Sequence, residues 1–294
     1  MKLSRLFAAL LLISIFLCAV PAYAEQDELV IGLIPEMNVF KQMERFRPLS
    51  EYLSEKTGVK VRLSILSRYG GIIKRFRSQH LDGAFFGSFT GAAAIEILGV
   101  EPIARPINLD GSSTYHGYIF VRKDSNIRKV SDMKGMKMVF VAKATTAGYV
   151  FPIAYFKENG VNDIKSFFSE YYFSGSHDSA VYAVLDKKAD IGAAKHSVYN
   201  RVKRSDPRID NELLILAESE KVPSNGLCVR KDLDEGLKKK LKEALLNINN
   251  DEKGKSVLKK LGALRFIETT ASDYKPVFDL LKRANMTADM AEEQ

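Results

Sequence analysis

Two adjacent threonines, Thr145 and Thr146, stand where a strand pattern gives way to a helical one. Residues 139–142 are β-branched, aromatic or apolar, and the apolar residues after Gly148 recur at helical spacing. One threonine is expected to cap the helix, which leaves the amides of Thr146, Ala147 and Gly148 without partners inside it. Hydroxyls, unpaired amides and the positive end of the helix dipole favour an oxyanion such as phosphate. The alternative is an ordinary capped helix after a buried strand.

The start of the chain predicts a secretory signal peptide over residues 1–24. Lys2 and Arg5 precede an apolar run over residues 6–20, and residues 22–24 offer a small-residue cleavage site. The run is short for a membrane span, which needs about 20 apolar residues. We therefore expect a periplasmic protein.

Cys18 raises the alternative of a lipid-anchored protein. A lipid-bearing cysteine is expected to follow a small residue, but Leu17 precedes this one. Cleavage after Ala24 is therefore favoured, and it removes Cys18 from the mature chain.

The charge balance is moderately basic, with a formal net charge of +8. Removal of Lys2 and Arg5 leaves 42 basic against 36 acidic residues, a net charge of +6. The charges are interspersed, and the cluster at residues 238–240 shares its helix with Glu235 and Glu243. A nucleic-acid partner is therefore not expected, whereas a small anion suits the balance.

Cysteine and histidine usage offers no metal or disulfide framework. Cys228, the one cysteine after the signal peptide, lies in an apolar run that predicts a buried side chain. The histidines have no metal-ligand spacing with one another or with Cys228; they are His80, His116, His177 and His196. We expect neither a metal nor a cofactor.

Strands alternate with helices in two successive series, which predicts α/β architecture built from βαβ units. The first series includes a strand at residues 83–86 and a helix from Ser88 to Leu98, and the pattern begins again after residues 110–113. A helical tail follows the second series and is expected to pack on the first. The predicted map is a discontinuous lobe 1 of residues 25–112 and 222–294, with an inserted lobe 2 of residues 113–221. Ligands of such folds bind at the carboxyl ends of strands.

Several short motifs, in this order and spacing, resemble one known family over nearly all of the mature chain. They are Arg68-Tyr69, residues 82–87, Tyr115 before residues 119–125, residues 131–135, residues 145–149, residues 175–177 and residues 184–194. The family is that of the periplasmic solute-binding proteins of phosphate, phosphite and phosphonate ABC transporters. The resemblance implies a two-lobed type II periplasmic binding fold, with a mixed sheet flanked by helices in each lobe and the ligand in the cleft between lobes.

The resemblance also implies roles for individual residues. Tyr69 and Tyr115 would be phenol donors, and His177 a donor from a second helix start. Thr145, Thr146 and the amides of Ala147 and Gly148 would form the oxyanion cradle. Tyrosine donates one hydrogen bond and histidine donates in either charge state, so these roles suit an oxyanion.

This chain departs from the family pattern at two positions. Lys195 stands where a carboxylate commonly follows the strand, and Phe89 stands where a tyrosine often follows Gly87-Ser88. Lysine cannot accept a proton from the ligand, so Lys195 is expected either to favour a fully ionised ligand or to point into solvent. A ligand that carries an amine is disfavoured.

The leading hypothesis is a monomeric, non-enzymatic receptor that captures phosphate, phosphite or a phosphonate for the membrane permease of an ABC importer. One alternative is a periplasmic module that reports its ligand to a membrane histidine kinase, and another is a receptor for a different small anion. An enzyme on the same fold would depend on Cys228, which has no nearby histidine and no helix start to lower its pKa.

Overall fold

The computed structural model describes residues 28–65, 71–78 and 80–292. The predicted signal peptide with Cys18, and the predicted ligand residue Tyr69, lie outside these ranges. Within the described ranges, no helix is both long enough and apolar enough to span a lipid bilayer.

The first of two large sheets draws its strands from both ends of the chain. These are β1 (Glu28–Leu33), β2 (Lys60–Ile65), β3 (Gly83–Phe86), β4 (Glu101–Asn108), β12 (Gly226–Val229) and β13 (Ala263–Glu268). Their order across the sheet is β13-β4-β12-β3-β1-β2. β1 runs parallel to β2 and β3, and the remaining pairs are antiparallel, so the sheet is mixed.

Helices flank this sheet and bury their apolar faces against it. They are α1 (Val39–Thr57), α2 (Ile72–Ser78), α3 (Ser88–Leu98), α9 (Glu235–Leu246) and α10 (Glu252–Leu261). The longest, α1, begins where the Asn38 side chain accepts hydrogen bonds from the amides of Phe40 and Lys41. It ends at Gly58, whose φ of 76° favours glycine.

The second sheet takes all its strands from one continuous stretch, residues 117–218. These are β6 (Gly117–Arg122), β7 (Lys137–Phe140), β8 (Glu170–Phe173), β9 (Ile191–Lys195) and β10 (Leu213–Glu218), in the order β10-β6-β9-β7-β8. β7 runs parallel to β8 and β9, and β6 is antiparallel to both of its neighbours. Its helices are a π-helix (Thr146–Val150), α4 (Phe151–Glu158), α5 (Ile164–Phe167), α6 (His177–Leu185), α7 (His196–Ser205) and α8 (Arg208–Glu212).

Two chain segments connect the large sheets, and they pair with each other. β5 (Thr114–Tyr115) and β11 (Val222–Pro223) form an antiparallel ladder in which Tyr115 lies opposite Val222. Four 3₁₀ turns complete the described structure, at Val130–Met133, Ile248–Asn250, Ala271–Tyr274 and Ala288–Glu292. One buried apolar cluster includes Phe86 of the first sheet and Phe89 of α3, together with Phe120 and Phe140 of the second sheet.

The helical tail divides its contacts between the two halves of the molecule. β13 pairs with β4 in the first sheet, and α10 packs on α1. The last helix, α11 (Lys275–Ala284), instead packs on α4 beside the second sheet. Arg283 of α11 holds this contact, because its Nε lies 2.5 Å from Glu158 Oε1. The tail therefore does not pack on the first sheet alone.

Candidate oxyanion-binding site

Polar side chains follow the carboxyl ends of parallel strands in both sheets. In the first sheet, Glu36 follows β1 and Ser88 follows β3. In the second sheet, Thr146 follows β7, His177 follows β8 and Lys195 ends β9. Parallel strands place their carboxyl ends at one edge, which is where α/β proteins bind ligands.

Three buried hydroxyls from different parts of the fold meet at this edge. Ser88 Oγ lies 2.7 Å from Thr146 Oγ1 and also hydrogen-bonds the Tyr115 hydroxyl. All three side chains are buried. Burial raises the pKa of Tyr115 above its usual value, so its phenol keeps its proton. The cluster can therefore both donate and accept hydrogen bonds without carrying charge.

The helix start that carries Thr146 is a π-helical turn rather than an ordinary α-helical one. The Val150 amide donates to the Thr145 carbonyl at 3.1 Å, and Phe151 donates to Thr146, both five residues back. Thr145 is the N-cap residue by position, yet its hydroxyl donates to the Ala142 carbonyl at 2.5 Å. Of the two predicted hydroxyl donors, the structure brings only Thr146 into the hydroxyl cluster.

Gly148 is needed for packing at this helix start. A Cβ at this position would lie 2.5 Å from Val141 Cβ and 2.8 Å from Thr145 Oγ1. The helix start therefore packs directly against Val141, the residue that follows β7. Ala147, the other predicted amide donor, is also buried.

His177 is the first residue of α6, but it does not cap the helix. The Ser176 hydroxyl takes that role by accepting from the Ser179 amide. His177 Nδ1 instead accepts from the Lys195 amide at 3.1 Å, which links the ends of β8 and β9. Burial lowers the pKa of His177 to about 3. The imidazole is therefore neutral at pH 7 with its proton on Nε2, as a hydrogen-bond donor requires.

Lys195 is buried and paired, so it neither points into bulk solvent nor carries an uncompensated charge. Its Nζ lies 2.7 Å from Glu36 Oε1 and 3.0 Å from Asn225 Oδ1. Burial on its own would raise the pKa of Glu36, but the Lys195 ammonium overrides this effect and holds the pKa at about 2. One of the two expectations for Lys195, a side chain that points into solvent, is therefore wrong, and a preference for a fully ionised ligand stays a prediction.

An open cleft of about 610 Å³ adjoins this ion pair. Glu36, Lys195 and Asn225 line it, together with Arg45 from α1 and Arg201 from α7. Both acidic and basic side chains line the cleft, as the interspersed charges of the sequence predict.

Three contributors were not identified from the sequence, namely Ser88, Glu36 and Asn225. Ser88 and Glu36 follow parallel strands just as Thr146 does, so the strand-end rule could have found them. Asn225 lies between β11 and β12 in a stretch typical of a turn, and nothing in its local sequence marks it.

The family model for the periplasmic substrate-binding protein of phosphonate ABC transporters matches residues 31–274. The chain belongs to this family. Two curated relatives of the phosphonate-binding family align over most of its length. The phosphonates-binding periplasmic protein of Escherichia coli is 27% identical over 88% of this chain and 78% of its own. A probable ABC transporter phosphite binding protein of Prochlorococcus marinus is 28% identical over 95% of this chain and 97% of its own length.

Solved structures of this family confirm the predicted type II periplasmic binding fold. A binding protein of an ABC phosphonate transporter from Pseudomonas aeruginosa superposes with a TM-score of 0.81, at 23% identity over 89% of this chain and 87% of its own. A Prochlorococcus marinus protein in complex with methylphosphonate superposes with a TM-score of 0.78, at 25% identity over 90% of this chain and 100% of its own. The mixed sheets of this chain, flanked by helices, have the same architecture.

Proposed function

We propose that this protein captures a small phosphorus oxyanion in the periplasm and delivers it to the permease of an ABC importer. The observation that carries the proposal is the meeting of Ser88, Tyr115 and Thr146 at a helix start between two sheets. Family membership and a relative crystallised with methylphosphonate support the ligand class. Phosphate, phosphite and a small phosphonate all present oxygen atoms that such donors recognise.

The proposed contacts come from neutral donors. The hydroxyls of Ser88, Tyr115 and Thr146, the amides of Ala147 and Gly148, and the Nε2 proton of His177 would hold the oxyanion. Thr145 and Lys195 would position the donors without contacting the ligand. The Thr145 hydroxyl stabilises the turn, and the Lys195 amide donates a hydrogen bond to His177. Tyr69 stays a prediction from the family pattern.

Lobe closure would provide the binding step. We place lobe 1 at residues 25–112 and 222–294 and lobe 2 at residues 113–221, with β5 and β11 as the crossings. The strands of the two sheets divide in the same way. The contact between Ser88 and Thr146 supports this step, because it joins the two proposed lobes at the hydroxyl cluster.

Binding alone, without catalysis, would account for this function. Burial raises the pKa of the Cys228 thiol to about 12, and a protonated thiol is a weak nucleophile. The proposal includes export through a cleaved signal peptide and action as a monomer.

A thermal-shift screen followed by calorimetry tests the proposal. Phosphite, phosphate and methylphosphonate are the probes, and sulfate and succinate are the controls. At least one phosphorus oxyanion should raise the melting temperature, because a ligand that binds only the folded state stabilises it. A response to sulfate or succinate alone would reassign the receptor to another anion.

A further inference from the structure

The ion pair between Lys195 and Glu36 is one of the most deeply placed charge contacts in the described structure. Its Nζ–Oε1 distance is 2.7 Å, and the two side chains are only 9% and 13% exposed. Lys195 ends a strand of the second sheet, whereas Glu36 follows a strand of the first. The pair therefore joins the two sides of the cleft.

Two further groups fix the ammonium in place. Asn225 Oδ1 accepts from Lys195 Nζ at 3.0 Å, from the segment that connects the two sheets. The Tyr115 ring lies on another side, with its centroid 4.3 Å from Nζ. Because the Tyr115 hydroxyl belongs to the hydroxyl cluster, the ammonium lies directly behind that cluster.

The pair also lies between the outer cleft and the buried hydroxyl cluster. Glu36, Lys195 and Asn225 all line the open cleft of about 610 Å³. Within the described part of the chain, Ser88, Tyr115, Thr146 and His177 do not line that cleft, and all four are buried. The ion pair is thus a partition between the outer cleft and the oxyanion donors.

We infer that this partition sets the size of ligand that the site accepts, an inference that rests on the proposed function. In this proposal, a phosphorus oxyanion with a hydrogen, hydroxyl or methyl substituent binds to the donors without separating the pair. A longer alkyl group has to pass through it. Passage separates Lys195 from Glu36 and leaves two buried charges unpaired, which is strongly unfavourable. The Lys195–Glu36 pair is therefore a specificity determinant that acts on the non-oxygen substituent of the ligand.

Calorimetry with methylphosphonate and n-butylphosphonate measures this selection. The wild-type protein should bind methylphosphonate about 100-fold more tightly, the discrimination expected when extra methylenes must be forced into a packed site. The double variant Glu36→Ala/Lys195→Ala opens the partition and should reduce that ratio about tenfold. The swapped pair Glu36→Lys/Lys195→Glu keeps a partition of similar size and should retain the wild-type ratio. Arg204→Ala, at an exposed residue that lines the outer cleft, should retain it too.

The possible outcomes separate this inference from the proposed function. Equal binding of the two phosphonates by the wild type overturns the inference and leaves the receptor function intact. A folded double variant with the wild-type affinity ratio for the two phosphonates also overturns the inference and leaves the receptor function intact. The wild-type ratio needs no variant, so the test stands even if the double variant does not fold. Failure of phosphite, phosphate and methylphosphonate to bind the wild type would overturn both.

Discussion

Ser88 Oγ and Thr146 Oγ1 lie 2.7 Å apart, although one follows a strand of the first sheet and the other a strand of the second. The two hydroxyls are buried and belong to helix starts that face each other. A contact of this kind forms only when the two sides of the cleft come together. The proposed ligand site and the proposed closing motion would therefore involve the same atoms.

Replacement of Ser88 by alanine should weaken ligand binding because it removes a hydroxyl that contacts both Tyr115 and Thr146. We expect a loss of about tenfold in affinity for methylphosphonate, the effect of about one hydrogen bond. Calorimetry measures the change. Ser166→Ala, at an exposed serine of α5, is the matched control and should bind as the wild type does. Equal affinities for the two variants would remove Ser88 from the site.

The two threonines of the helix start should respond differently to the same substitution. Thr146→Ala removes a hydroxyl from the cluster, and loss of a hydrogen bond to a charged ligand should cost about 1.5 to 3 kcal/mol of binding free energy. Thr145→Ala removes only the bond to the Ala142 carbonyl, so it should affect the free energy of unfolding more than affinity. Thr287→Ala, at an exposed position, is the control. Similar affinity losses for Thr145→Ala and Thr146→Ala would contradict this division of roles.

Gly148→Ala should destabilise the fold because the new methyl group would lie 2.5 Å from Val141 Cβ. Overpacking of this kind costs about 1 to 3 kcal/mol in the free energy of unfolding. Urea denaturation measures the loss. Gly236→Ala is the control, since its nearest neighbour is an oxygen of the exposed Asp234 side chain at 3.0 Å. A wild-type midpoint for Gly148→Ala would show that the helix start can move away from β7.

Glu36→Gln should destabilise the protein by about 3 to 5 kcal/mol, because it leaves the buried Lys195 ammonium without its counter-charge. The control is Glu28→Gln, which breaks solvent-exposed ion pairs with Lys60 and Arg62 and should change the stability far less. Chemical denaturation of both variants gives the comparison. A loss as small as that of the control would mean that water reaches the ion pair.

Stability should fall on acidification between pH 6.5 and pH 4. Burial lowers the pKa of His177 to about 3 and, together with its stacking on His116, that of His196 to about 4. In this range the unfolded chain binds more protons than the folded one, so acid favours unfolding. Each histidine contributes up to about 1.4 kcal/mol per pH unit. A flat stability profile over this range, or an unchanged slope in His177→Gln, would contradict the buried neutral imidazoles.

Local patterns in the sequence predicted many elements correctly. The strand at residues 83–86 and the helix from Ser88 to Leu98 are confirmed as β3 and α3. β13 was missed, because its burial does not alternate and Leu264 is exposed. The π-helical turn was missed as well, since one extra residue in a turn leaves no periodic signal.

The composition of the candidate site was only partly predictable. The change from a strand pattern to a helical pattern indicated Thr146, and the family resemblance indicated His177. Partners across the cleft depend on how two sheets are placed relative to each other. Lys195 and Glu36 are separated by 159 residues, and no local pattern connects them. The sequence therefore left open where the Lys195 side chain points and did not indicate the carboxylate that neutralises it.

The most direct test of the central claim is a crystal structure of the protein with bound methylphosphonate. The account predicts phosphonate oxygens within hydrogen-bond distance, about 2.5 to 3.2 Å, of Thr146 Oγ1, the Tyr115 hydroxyl and Ser88 Oγ. It also predicts an intact ion pair between Lys195 and Glu36 beside the methyl group. A ligand held in the outer cleft by Arg45 and Arg201, with the hydroxyl cluster unchanged, would contradict the account.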